Sequence, residues 1–269
     1  SEMCIRDRGL KDEVSAKFWD DITHFEGNAN GFRILTHQFK GRRQGGFVMT
    51  YPMLAAIVKY PFASSLAGKH DKFGFFTSEA ESYQKVAEEL GILRKSKPGE
   101  PLEYARHPLV YMVEAADDIC YEIMDIEDSH KLKILSFEET ADLLLGFFDE
   151  ETQQKIRQRI LDEGLTDENE QVVYMRACVI GKLENECVNV FLNHEEEILA
   201  GSFEGCLIEH IAEHQRQAYQ KCTQVSRKKI YASKPVLDIE LSGYKIMATL
   251  MEVFIDAAVN PSRFYSKQL

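Results

Sequence analysis

Apolar and polar positions alternate along this chain with spacings of three and four wherever a period can be read, the signature of amphipathic helices. Residues 11–39 carry the pattern with an interruption at GNANG (27–31). It returns in TYPMLAAIVKY (50–60), TSEAESYQKVAEELGI (77–92), HPLVYMVEAADDICYEIMDIED (107–128), SFEETADLLLGFF (136–148) and DEETQQKIRQRILDEG (149–164). From 167 to about 226 the helical pattern is long, with breaks near Asn193 and Gly201. Helix starts carry the expected caps: Ser78 precedes Glu79 and Glu81, and Ser136 stands three residues before Glu139 as in a capping box. Only KKIYA (228–232) and VLDIEL (236–241) read as strands, so the expected fold class is all-α with at most a short β-hairpin. Loops fall at 40–46, 64–74 and 94–101, none long enough for an interdomain linker. The pattern therefore predicts one helical domain over residues 1–269.

Within residues 107–128 the period places Leu109, Met112, Val113, Ala116, Ile119, Cys120 and Ile123 on one stripe, expected to face the core. Measured from Ala116, Asp117 lies about 100° around the helix, Tyr121 about 140° and Asp125 about 180°, a ladder along one edge. Asp118, Glu122, Glu127 and Asp128 read as a solvated outer face. Asp117, bordering apolar positions, should have a cation or hydrogen-bond donors near it.

Composition narrows the classes of function. The chain is 44% hydrophobic and 28% charged with a formal charge of −12, which disfavours a general polyanion binder and leaves room for a local basic pocket. No apolar run approaches the roughly 20 residues of a membrane span. Six cysteines without a CxxC pair suggest reduced thiols and a cytoplasmic protein. The first residues, SEMCIRDR (1–8), lack an initiator Met and read as non-native, so the natural protein is expected to extend upstream.

HPLVYMVEAADDICYEIMDIED resembles the signature helix of the deoxyguanosine triphosphate triphosphohydrolases, members of the HD superfamily of metal-dependent phosphohydrolases. HFEGNANGFRILT (24–36), MLAAIVKYP (53–61), KFGFFTSEAESY (72–83) and KPVLDIELSGYKI (234–246) resemble further blocks of that family in the same order. The resemblance implies an HD-domain-like helical bundle that uses a divalent metal, Mg2+ or Mn2+, to hydrolyse dGTP to deoxyguanosine and triphosphate. It also implies a homo-oligomer, commonly a hexamer. Residue by residue, it makes Asp117 a metal ligand and places Lys59 and Tyr60 on the phosphates with Asn28 as an amide donor. Tyr121 would pack against the deoxyribose, Asp125 would accept its 3′-hydroxyl, and Tyr231 and Glu240 would line the base pocket. Glu240 suits guanine because N1–H and the 2-amino group are both donors and a carboxylate only accepts.

The family's other metal ligands and its catalytic His and Glu precede the HFEGNA block, so they are expected upstream, and this chain alone is expected to bind metal poorly and to be inactive. The doublet His70-Asp71 lies in a Gly/Lys-rich loop after the block and does not match the family's context. Two rival readings stand beside this one. HIAEH (210–214) fits the HxxEH zinc-peptidase pattern if both histidines share a helical face. Alternatively, the chain is a non-catalytic helical nucleotide-binding or oligomerisation module. SRKKIYASK (226–234), with Arg227, Lys228, Lys229 and Lys234, reads as a phosphate or weak single-stranded nucleic-acid contact or as a solvated turn, and GRR (41–43) carries the same ambiguity.

Overall fold

A computed structural model describes residues 14–41, 45–67 and 72–268. Its elements are α1 (Ala16–Thr23), α2 (Gly27–Thr36), α3 (Tyr51–Ala56), α4 (Ala80–Glu89), α5 (Pro108–Lys131), α6 (Phe137–Leu145), α7 (Glu150–Asp162), α8 (Glu168–Asn193), α9 (Glu195–Leu199), α10 (Glu213–Val225) and α11 (Lys234–Val259). The described residues are all-α, with isolated bridges such as Phe62 to Glu103 and no strand. Neither strand candidate is a strand: Lys228–Ile230 lie in a π-helical turn (Ser226–Ile230) with Tyr231 and Ala232 in the turn that follows, and VLDIEL lies in the opening turns of α11. The alternation of Leu237, Ile239 and Leu241 looks strand-like only while the longer helical run around it is ignored. No described helix is long and apolar enough to cross a membrane.

The chain forms two compact units, one made of residues up to Val110 together with those from Ile239 onward, the other of Tyr111–Asp238. In the first, Phe32, Leu54, Val58, Phe75, Tyr83 and Tyr104 are buried around stacked and edge-on rings; Phe75 and Tyr83 stack at 4.8 Å. Burial pushes the Tyr83 phenol well above its ordinary value, with nearby Tyr104 adding to the effect. Residues 58–62 run tightly beside 73–75. A Cβ on Gly74 would stand 2.2 Å from the Tyr60 carbonyl oxygen, so only glycine permits this approach, and it fixes the backbone at Lys59 and Tyr60.

The expected interruption at GNANG is instead the start of α2. The Glu26 carboxylate accepts from the Asn28 N–H at 2.6 Å and the Ala29 N–H at 3.1 Å, satisfying the first turn, so the break falls at residues 24–26. The Ser136–Glu139 capping box is present as expected.

In the second unit Tyr111, Ala115, Ile119, Ile123 and Ile126 of α5 pack with Ala141, Leu144 and Leu145 of α6, with Phe147 just beyond it, and with Val172, Met175, Val179, Leu183 and Cys187 of α8. The core face of α5 is therefore not the expected stripe. Ile119 and Ile123 are buried, but Leu109, Met112, Val113, Ala116 and Cys120 are exposed. The helix carries two adjacent apolar stripes, and the partners on α6 and α8 select the one that includes Tyr111 and Ile126. The same rotation buries Glu122 and Glu127, which the sequence had placed on the wet face; Asp128 is exposed and Asp118 half-buried.

Candidate functional site

Rotation of α5 separates its carboxylates by what surrounds them. Glu127 is buried and ion-paired to Arg176 of α8 and to Lys131, the latter at 2.5 Å. Burial raises its carboxyl, but the bonds from Lys131 and Arg176 more than reverse this and hold it below the usual range. Glu122 is also buried and accepts from two hydroxyls at 2.9 Å, Thr223 Oγ1 on α10 and Ser226 Oγ on the π-helical turn. Burial pushes its carboxyl up, and the two hydroxyl bonds offset this only in part.

The remaining edge of α5 is open. Asp117 and Tyr121 are exposed and Asp125 is half-buried, in the one-turn succession expected for a ladder. Opposite Asp125 stands Tyr231, half-buried just after the π-helical turn, whose hydroxyl donates to Asp125 Oδ2 at 2.6 Å. Burial, then the bonds to Asp125 and Tyr121, push this phenol far above its ordinary value, so it remains a donor throughout the physiological range. Tyr121, Asp125 and Tyr231 thus meet in one cluster, with Asp117 one turn before Tyr121 on the same helix. The buried pair behind it, Glu122 and Ser226, was missed in the sequence; the only local signal was that Glu122 lies three residues before Asp125.

The other candidates belong to the first unit. Asn28 is exposed, and its amide Nδ2 donates to Glu26 Oε1 at 3.0 Å; Lys72 Nζ stands 3.4 Å from the same oxygen. Because Glu26 takes the N–H groups of Asn28 and Ala29 as well, it orients the asparagine; Glu26 and Lys72 were not foreseen. Lys59 Nζ lies 5.8 Å from the Tyr60 ring centroid, and the Tyr60 ring 6.3 Å from that of Phe62. Glu240 is exposed on α11.

The remaining motifs resolve differently. His210 ends a 3-10 turn and its Nε2 lies 3.1 Å from the Glu204 carbonyl, while α10 begins at Glu213. The two histidines of HIAEH therefore do not share a helical face, which removes the geometric basis of the peptidase reading. In the basic stretch, Lys229 pairs with Glu139, and Arg227, Lys228 and Lys234 are exposed. His70-Asp71, Cys4 and the arginines of GRR lie outside the described residues. Cys187 and Cys222 are buried thiols, pushed up to about 12 chiefly by burial.

Among the described residues no three His, Cys, Asp or Glu side chains stand together in a group that could hold a metal ion. Asp117 supplies one carboxylate, whereas a divalent cation needs several fixed ligands, so the described residues do not by themselves make the metal site that the resemblance implies.

Comparison with known proteins agrees with the motif blocks. A deoxyguanosinetriphosphate triphosphohydrolase-like protein of Pseudomonas aeruginosa is 34% identical over 261 residues, 94% of this chain and 56% of the relative. One from Synechocystis sp. is 33% identical over 248 residues, covering 89% of the chain and 53% of the relative. A deoxyguanosinetriphosphate triphosphohydrolase of Yersinia enterocolitica is 25% identical over 272 residues, 94% and 51% respectively. The chain thus spans about half the length of the curated relatives it matches. No protein-family model matches it.

Proposed function

We propose, from the premise that this chain belongs to the deoxyguanosinetriphosphate triphosphohydrolase-like family, that it supplies the deoxynucleoside-binding side of an HD-type triphosphohydrolase. The observation that carries the reading is the short bond from Tyr231 to Asp125 beside Tyr121. It gathers an aromatic face, a phenol donor and a carboxylate at the edge of α5, one turn from the residue matched to the metal ligand.

In the reaction, water attacks the α-phosphorus of dGTP, the bond from the α-phosphorus to the deoxyribose 5′-oxygen breaks, that oxygen takes up a proton, and deoxyguanosine and intact triphosphate leave. A divalent metal would supply polarisation of the phosphate and activation of the water, with Asp117 as one of its ligands. Tyr231 occupies Asp125 Oδ2, so the sugar 3′-hydroxyl approaches the carboxylate from its Oδ1 side. The Tyr121 ring covers the sugar, and a 2′-hydroxyl set against that apolar face loses its water partners without gaining a donor or acceptor. The first unit carries the residues that the resemblance assigns to the triphosphate, Lys59, Tyr60 and the Asn28 held by Glu26, and the one it assigns to the guanine edge, Glu240. A homo-oligomeric assembly belongs to the same reading.

Titration of the chain with deoxyguanosine and with guanosine tests it. Binding is expected at about millimolar strength for the deoxynucleoside, roughly 4 kcal/mol, and weaker by about tenfold or more for the ribonucleoside. Tyr121→Ala should bring the two affinities together, and a discrimination that survives the substitution counts against the assignment. Glu240→Ala should reduce the preference for deoxyguanosine over deoxyadenosine by roughly fivefold or more. Equal losses for both nucleosides would place Glu240 outside the base pocket.

A further inference from the structure

Buried Glu122 has no place in the reaction described above, yet its contacts lead to the candidate site. Its Oε1 accepts from Ser226 Oγ at 2.9 Å, and Ser226 is fully buried at the start of the π-helical turn. The Ser226 carbonyl accepts the Tyr231 N–H at 2.9 Å, the hydrogen bond that closes this turn. Tyr231 in turn donates to Asp125 Oδ2 at 2.6 Å. Glu122 and Asp125 are one turn apart on α5, so the four residues close a ring: helix, serine, π-turn, tyrosine, and back to the helix. Thr223 ties the same carboxylate to α10, immediately before the turn.

π-Helical turns are rare and concentrate at functional sites. Here the turn carries Tyr231 to its place; Ser226 on Glu122 is its buried side-chain anchor, beside the surface pair of Lys229 with Glu139. We propose that Glu122 is a positioning residue for deoxynucleoside binding: by holding Ser226 it fixes the π-helical turn and sets the Tyr231 hydroxyl against Asp125. This rests on the reading of Asp125 and Tyr231 as nucleoside contacts.

A carboxylate that served stability alone would act independently of Tyr231, which supplies the test. Deoxyguanosine is titrated into the full chain, into Glu122→Gln, into Tyr231→Phe and into the double variant, and amide hydrogen exchange is followed at Tyr231. Glutamine keeps the shape, but its amide nitrogen cannot accept the second hydroxyl. Glu122→Gln should weaken binding roughly tenfold in the native background and less than about twofold once Tyr231 is phenylalanine. Exchange at the Tyr231 amide should rise by about tenfold with little change in the unfolding midpoint, and Ser226→Ala should reproduce both effects. Equal loss in the two backgrounds, or exchange at Tyr231 that does not move, overturns the proposal. If the unaltered chain takes up no deoxyguanosine while Glu122→Gln still loosens Tyr231, the functional reading fails but the anchoring of the turn stands.

Discussion

Asp125→Ala should abolish most of the chain's affinity for deoxyguanosine. The substitution removes the acceptor for the Tyr231 hydroxyl and, in the proposed pose, for the sugar 3′-hydroxyl. Hydrogen bonds to a charged group contribute roughly 1.5–3 kcal/mol, so the expected loss is about ten- to a hundredfold, read by calorimetric or NMR titration. The Tyr231 phenol should also ionise at lower pH, because the Asp125 bond is among the causes that hold it up. Circular dichroism should not change, since Asp125 is at the half-buried edge of α5 and outside the Ile119–Ile123 core. Retained affinity in this variant would remove Asp125 from the site.

Arg176→Ala should produce the largest stability loss outside the apolar core. It strips one of two cations from Glu127, whose side chain is 3% exposed. Breaking a buried pair costs about 3–5 kcal/mol; with Lys131 still at 2.5 Å and Arg176 itself 27% exposed, we expect about 2–3 kcal/mol, read as a lowered urea midpoint with an unchanged slope. The sign of its pH dependence follows from the depressed Glu127 carboxyl. Such a group stabilises the fold above its unfolded value, near 4.3, and that contribution is lost as pH falls through the lower folded value. The gap between variant and parent should therefore close on acidification. A gap that stays constant from neutral pH to the acid transition would show that the pair contributes nothing to the pH dependence.

Glu127 also marks where local pattern stops being informative. The three-and-four spacing was enough to read the all-α class and the break near Asn193, and the SFEE pattern was enough to read the Ser136 cap. It could not choose between the two apolar stripes of α5, because Ile119 and Ile123 sit at their shared border and the partners that decide, such as Leu144 and Val179, lie far along the chain. Glu122 and Glu127 read as solvated for the same reason: their partners Ser226 and Arg176 are 104 and 49 residues away. Likewise the GNANG break was misplaced because the Glu26 cap depends on side-chain geometry rather than propensity.

The site divides along similar lines. The helical period places Asp117, Tyr121 and Asp125 on one edge without any family knowledge. The pairing of Asp125 with Tyr231 spans 106 residues, and no spacing rule reaches that far; the family resemblance put both residues at the nucleoside, and the structure adds their direct bond. Ser226 stayed hidden inside a stretch whose charge drew attention to Arg227, Lys228 and Lys229 instead.

Ring resonances of the tyrosines in an isotopically labelled chain, followed during a deoxyguanosine titration, test the central claim most directly. The account predicts that the signals of Tyr121 and Tyr231 move together along one binding curve, and that guanosine at equal concentration moves them far less. Nucleoside binding that leaves both rings undisturbed, or guanosine shifting them as strongly, would contradict it.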